Sequence, residues 1–175
     1  MKTRVFGLIM GLAAQLKLEL EQLAERLEEA DAPIRTTASE QEACRRLVQI
    51  PGIGPVTATA IIAAVGNGAA FHKGREFAAW MGVVPREHST GGKQKLLGIS
   101  KRGNSYLRRL FVQGARAILQ QRSKQAAGLK AWLEKLTSRT HHNVAAVALA
   151  DKLARMAWAV LATGEAYRAP LPTAA

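Results

Sequence analysis

Leu12, Leu16, Leu20, Leu23 and Leu27 recur at intervals of four, four, three and four, with glutamate and glutamine between them. That spacing puts all five on one stripe of a helix over residues 4–30. The stripe fits two arrangements: an amphipathic helix packed on its own domain, or a coiled-coil seam for a second helix. About two to three heptads decide for neither. Asp31-Ala32-Pro33 is expected to stop the helix and leave 31–38 as a linker. Ser39 and Glu42 then form an S-x-x-E capping box that opens a helix through Val48.

The stretch LVQIPGIGPVTATAIIAAVG covers residues 47–66. Gly52 and Gly54 permit a tight turn, and Pro55 suits the first turn of a following helix. Helix, Gly-x-Gly turn and helix resemble a helix-hairpin-helix. In such a turn the backbone N–H groups at a helix start can hold a phosphate oxygen without reading sequence. A plain helical corner has the same outline, but Pro-Gly-Ile-Gly between apolar helices favours phosphate contact or a structural relic of it. Gly66–Gly74 reads as a loop and Arg75–Met81 as a short helix burying Phe77 and Trp80. Residues 83–104 carry no helical period, and Val83–Lys95 accommodates a small hairpin around Gly91-Gly92. Asn104 caps a helix to about Arg122, with Leu107, Leu110, Phe111 and Ile118 on its apolar stripe. Arg109 and Arg116 lie seven apart on another face, and Arg102 continues that spacing. Two more helices are predicted near 126–138 and 143–162, the last alanine-rich and closely packable.

The fold predicted is mainly α: an N-terminal coiled-coil helix, then a compact helical domain with a helix-hairpin-helix and one irregular basic loop. The divisions are 1–32 for the coiled-coil helix, 33–44 for linker and helix start, 45–165 for the domain, and 166–175 for a frayed tail. Composition agrees. Of the 175 residues 48% are apolar, enough for a core, while aromatics at 5% argue against a β-sandwich. Cys44 is alone, which removes internal disulfides and cysteine zinc sites and makes a cytoplasmic setting the simplest reading. Lys2 and Arg4 followed by VFGLIMGLAA imitate a signal peptide, but the pattern runs on into a charged helix without a small-x-small cleavage site. No apolar run approaches the roughly 20 residues that a membrane span needs.

Charge sharpens the picture. The net charge is +12, yet residues 1–32 hold four basic and six acidic side chains. Residues 85–124 hold ten basic side chains against Glu87 alone, interleaved with apolar positions. A folded basic face of this kind meets phosphate backbone, so the partner expected is nucleic acid.

Metal-dependent phosphodiester chemistry needs several converging carboxylates. Six acids lie in residues 1–32, and the other seven (Glu40, Glu42, Glu76, Glu87, Glu134, Asp151, Glu165) are scattered, so no metal site is read. His141-His142 suits a surface pair or helix start better than a ligand set. His72 and His88 stand singly, and neighbours in a strand point to opposite faces, so His88 beside Ser89 makes no dyad. What remains is hydroxyls in a basic loop: Ser89, Thr90, Ser100 and Ser105. A serine can attack a phosphodiester where cations stabilise the transition state. Ordinary turn chemistry uses the same residues, and spacing alone favours it.

Three blocks carry a resemblance. PGIGPVTATAIIAAVG is followed by FAAWMGVVPREHSTGGK and then by GISKRGNSYLRRL. In this order they closely resemble the C-terminal transposase domain of the insertion-sequence one-ten family, over about residues 45–163. Members are DNA transposases guided by a noncoding bridge RNA. They combine an N-terminal RuvC-like domain bearing four metal-binding acids, a coiled coil, and this domain with its nucleophilic serine. The resemblance implies Ser89 as nucleophile, with Ser100 as runner-up. It implies nucleic-acid contact by Lys93, Lys101, Arg102, Asn104, Arg108 and Arg109, beside the Gly52–Gly54 turn and Arg116 read above. The RuvC-like domain has no counterpart in this sequence. The chain is therefore expected to be a truncated or split transposase, inactive alone, with no cofactor of its own and magnesium needed only with the RuvC-like domain. The expected partners are DNA, a structured guide RNA and a second copy through residues 4–30, with no membrane and a cytoplasmic, nucleoid-associated location. The alternative is a non-catalytic helix-hairpin-helix module that binds nucleic acid and oligomerises.

Overall fold

A computed structural model describes residues 2–88, 90 and 96–169. Among them the backbone forms seven α-helices and a two-stranded antiparallel ribbon. In chain order these are α1 (Lys2–Glu40), α2 (Glu42–Val48), α3 (Pro55–Val65), α4 (Gly74–Met81), β1 (Pro85–Glu87), β2 (Leu96–Ile99), α5 (Ser105–Gln120), a 3-10 turn at Arg122–Lys124, α6 (Ala127–Thr137) and α7 (His142–Thr163). The mainly helical architecture and the long N-terminal helix are those the pattern predicts.

α7 is the hub. Ala145, Ala146, Ala150, Ala154 and Ala157 are buried along it together with Leu149 and Leu153. Small side chains let α4 and α5 approach its backbone closely, and α2 and α6 also pack against it. Phe77 of α4 and Phe111 of α5 are fully buried, with ring centroids 6.3 Å apart in an edge-on contact. Each contributes about 1.5–3 kcal/mol by burial. Phe71 and Trp80 extend the aromatic cluster, and Trp158 Nε1 donates to the Phe71 carbonyl at 3.1 Å, tying the 66–73 loop to α7. His141 caps α7, its Nδ1 accepting from the Asn143 N–H at 3.3 Å, as a helix-start histidine should. Tyr167 packs against the core rather than fraying with the tail.

Three expectations change. The linker at 31–38 is absent: α1 runs through Pro33 to Glu40, and the break falls at Gln41, which is extended (φ −79°, ψ 119°). The Ser39–Glu42 capping box does not form. Ser39 lies in the last turn of α1, so its hydroxyl donates to the Thr36 carbonyl at 2.7 Å, while Glu42 pairs with Arg46. The ribbon also reaches beyond 83–95: β1 lies inside that range, while Gly91-Gly92 lies outside the described residues. Its second arm is β2, with Pro85 opposite Ile99 and Glu87 opposite Leu96, and the ladder is irregular between them.

Along residues 9–30 of α1 the large apolar side chains stand in solvent, among them Leu12, Leu16, Leu20, Leu23 and Leu27. Only the C-terminal end of the helix meets the domain. Ala38 is buried and Ile34 and Thr37 are half-buried, where α1 packs on α3. No helix among the described residues is long and apolar enough to cross a membrane.

Candidate nucleic-acid interface

The turn between α2 and α3 is built from two buried isoleucines and two glycines with different tasks. Ile50 and Ile53 anchor it in the core, and the Ile53 N–H donates to the Ile50 carbonyl at 3.0 Å. Gly52 has φ +78°, and a Cβ there would lie 2.7 Å from Ile118 Cδ1 and 2.9 Å from the Gly114 carbonyl oxygen. Gly52 is therefore packed against α5. Gly54 is the exposed partner. Nothing lies within 4 Å of where its Cβ would stand, and it is the N-cap of α3 just before Pro55. The first turn of α3 carries no acidic residue, so its amide dipoles are not offset by a local carboxylate.

The second part joins the end of α4 to the start of α5. The Lys101 N–H donates to the Gly82 carbonyl at 3.1 Å and the Ser100 N–H to the Val84 carbonyl at 3.0 Å. Gly103 has φ +85°, and a Cβ there would overlap the Trp80 carbonyl oxygen, so only glycine allows this approach. Lys101 itself adopts a left-handed conformation with φ 55°, uncommon for a residue with a side chain. Asn104 Oδ1 accepts from the Leu107 N–H at 3.0 Å and caps α5. Arg108 Nη1 donates to the Met81 carbonyl at 2.9 Å and to the Arg102 carbonyl at 3.3 Å, fastening the turn to the C-terminal end of α4. The 100–104 turn is thus bound on both sides by backbone and side-chain hydrogen bonds, and it presents Lys101 and Arg102 to solvent.

The sequence-predicted residues divide accordingly. Lys101, Arg102, Arg109 and Arg116 are exposed, and no carboxylate pairs with them among the described residues. Arg108 and the Asn104 carbonyl oxygen are spent on the protein itself. Ser89 and Lys93 lie outside the described residues. The Ser100 Oγ is buried without a hydrogen-bond partner among the described residues, so it is not presented to a substrate here. Two residues escaped sequence reasoning. Gly114 is a glycine in the middle of an Arg- and Leu-rich helix, and that irregularity is the signal that could have found it. Tyr106 is 49% exposed, with Arg109 Cζ 6.0 Å from its ring centroid.

The charge field is one-sided. Residues 88–133 contain ten lysines and arginines and no acidic residue. The magnesium implied by the resemblance finds no matching donor set. Among the described residues no three His, Cys, Asp or Glu side chains gather. Asp151 pairs with Arg155 at 2.6 Å, Glu76 accepts from the His72 N–H at 2.8 Å, and Glu165 reaches Arg168 at 3.8 Å. Burial pushes the Asp151 carboxyl up, and the Arg155 guanidinium opposes the shift. Burial also pushes the Cys44 thiol up, so this cysteine serves as packing rather than as a nucleophile.

The model of the Transposase IS116/IS110/IS902 family matches residues 44–130, which takes in the α2–α3 turn, the ribbon and α5. A probable family 20 transposase of Pseudomonas aeruginosa is 43% identical over 157 residues, covering 90% of this chain and 46% of that protein. The transposase for insertion sequence element IS1328 of Yersinia enterocolitica is 41% identical, covering 91% of this chain and 48% of its own. The transposase for insertion sequence element IS1111A of Coxiella burnetii is 42% identical, covering 87% and 42% respectively. The chain spans about half the length of the curated relatives it matches.

Proposed function

From a chain whose residues 44–130 match the Transposase IS116/IS110/IS902 family, we propose the C-terminal, DNA-handling part of a transposase, holding nucleic acid by its phosphates and supplying Ser89 for strand transfer. One observation carries this reading. In the acid-free basic run Lys101, Arg102, Arg109 and Arg116 are exposed, Lys101 and Arg102 shortly after β2 and the other two along α5. The exposed Gly54 and the first-turn amides of α3 add a sequence-independent phosphate contact.

In the reaction proposed, Ser89 Oγ loses its proton and forms a bond to a phosphodiester phosphorus. The bond from phosphorus to one sugar oxygen breaks, and that oxygen takes up a proton. The other strand end stays on the protein as a phosphoserine ester. Lysine and arginine side chains stabilise the charge that develops on the phosphoryl oxygens. The residues described do not fit a magnesium site, so any metal-holding carboxylates belong to a domain acting beside this one, with a structured guide RNA. The exposed leucine stripe of α1 pairs with a second copy in this reading.

The test is a covalent protein–DNA adduct that survives denaturant. None is expected from the chain alone. One is expected when a four-acid RuvC-like domain and a guide RNA are added. Ser89→Ala should abolish it while changing DNA affinity less than about fivefold, because one neutral hydroxyl contributes about 1 kcal/mol. Ser100→Ala should retain it. An adduct that persists in Ser89→Ala and disappears in Ser100→Ala moves the nucleophile to Ser100. No adduct under any of these conditions leaves a nucleic-acid-binding module without strand-transfer chemistry.

A further inference from the structure

We propose that Tyr106 is a stacking platform for an unpaired nucleobase, an assignment that rests on the nucleic-acid reading above and names which part of the ligand this surface takes. Tyr106 is the second residue of α5, and the next residue, Leu107, is fully buried. The helix could have turned an aromatic ring into the core at this end, as it does with Phe111; instead Tyr106 stands 49% exposed. A tyrosine ring left in water forfeits burial energy that it would ordinarily gain. Its helical neighbour three positions on is Arg109, whose Cζ lies 6.0 Å from the ring centroid. That is the outer limit of a cation–π contact, close enough to orient the ring and too far to cover it.

The mount is rigid. Asn104 caps the helix directly before Ser105 and Tyr106. Gly103 abuts the Trp80 carbonyl, and Arg108 clamps both Met81 and Arg102. A ring on such a base binds at low cost in conformational entropy. The exposed charged and hydroxyl residues close to it in sequence are Lys101, Arg102, Ser105 and Arg109, with the half-buried Leu110 one turn on. A protein-docking aromatic is normally ringed by further apolar surface, whereas here the surroundings suit a phosphodiester on either side of a flat apolar group. Duplex bases have both faces covered by their neighbours, so a ring of this kind gains a partner only from a base that is unstacked. Lysines and arginines can hold duplex phosphates without it. The inference thus separates two modes on one surface: charge for any phosphate backbone, and the ring for unpaired bases.

The experiment measures the affinity of the whole chain and its variants for three labelled probes of one mixed sequence, about 15 nucleotides long: single-stranded DNA, single-stranded RNA and duplex DNA. Tyr106→Ala should weaken binding to one or both single strands about tenfold and leave duplex affinity within about twofold, which also reports that the variant is folded. Tyr106→Phe should match the wild type, because stacking needs the ring and not the hydroxyl. A 2-aminopurine in the single strand should be quenched by the wild type and not by Tyr106→Ala. Loss on DNA alone or on RNA alone identifies which strand the ring takes. Equal loss on duplex and single strand, or no loss on either single strand, overturns the proposal while the nucleic-acid reading stands. Failure of the wild type to bind any of the three probes removes both.

Discussion

Gly114 and Gly52 touch backbone to backbone, and this contact sets where the α2–α3 turn sits on α5. A Cβ on Gly114 would overlap the Gly52 carbonyl oxygen. Two effects oppose each other in Gly114→Ala. Alanine favours the helix by about 1 kcal/mol, but the clash is with main chain that no rotamer change relieves, and overpacking of this kind costs about 1–3 kcal/mol. The clash should win. Gly114→Ala is expected to lower Tm and to weaken DNA binding through a displaced Gly54, read by thermal melting and by titration of the folded variant. A variant as stable as the wild type would show that α5 and the turn are not locked together here. The same contact shows how much of the candidate site the sequence could disclose. Spacing marks the Gly52–Gly54 turn and sets Arg102, Arg109 and Arg116 seven apart, the resemblance adds Asn104 and Arg108 to the contact residues, and the structure leaves Arg102, Arg109 and Arg116 exposed. What spacing could not separate is a guanidinium facing water from one facing a carbonyl. Arg108 and Arg109 are adjacent and chemically identical, and only the end of α4, brought from 27 positions back to the Met81 carbonyl, distinguishes them. Gly52 poses the same difficulty, because its partner is sixty-odd residues away in sequence.

Helices α3 to α7 were legible because each carries a strong local signal: Pro55 at an N-terminus, Asn104 as a cap, and apolar stripes at helical spacing. Pro33 was misread because a local rule met a non-local restraint. Proline inside a helix costs about 3 kcal/mol through a lost hydrogen bond and a steric clash. Here the turn after it is held from outside, by Ala38 buried in the core and Ile34 and Thr37 half-buried where α1 meets α3. Arg35 adds pairs to Glu28 and Asp31 that span the proline, though exposed pairs contribute little. Continuity has a consequence. The stripe Leu20, Leu23 and Leu27 continues at the same three-and-four spacing through Ala30 to Ile34, so one seam is exposed at its N-terminal end and covered by α3 at the other. The exposed end is the surface proposed to pair with a second copy. Deleting residues 1–32 removes no buried side chain among those described and keeps the docked turns of α1. It should lower the mass seen by light scattering while the helical circular dichroism of the remainder and its cooperative melting persist. If the truncated chain unfolds, α1 belongs to the core and the pairing is wrong; if its mass is unchanged, contacts lie elsewhere.

Charge is segregated along the whole molecule, and that segregation decides how it should behave toward a polyanion. The first 32 residues carry two more acidic than basic side chains, whereas the complete chain has a net charge of +12. The positive excess therefore resides entirely in the domain that follows, where residues 88–133 have no acid to offset it. A surface of this kind holds phosphates by displacing condensed counterions, and each neutralised phosphate contributes about −0.9 to the log–log dependence of affinity on salt for duplex DNA. With Lys101, Arg102, Arg109 and Arg116 exposed and further lysines in the basic run, a slope of roughly −4 to −8 is expected. Base sequence should matter little, because phosphate contacts position a duplex without reading it. Arg102→Ala with Arg116→Ala should flatten the slope by about 2, since both side chains face solvent, and should leave Tm nearly unchanged. Arg108→Ala should do the reverse: a lower Tm from the lost clamp on Met81 and Arg102, with a slope close to that of the wild type. Titrations at several salt concentrations beside thermal melts read both quantities on the same variants. A slope near zero for the unaltered chain would mean that this charge does not serve a phosphate backbone at all.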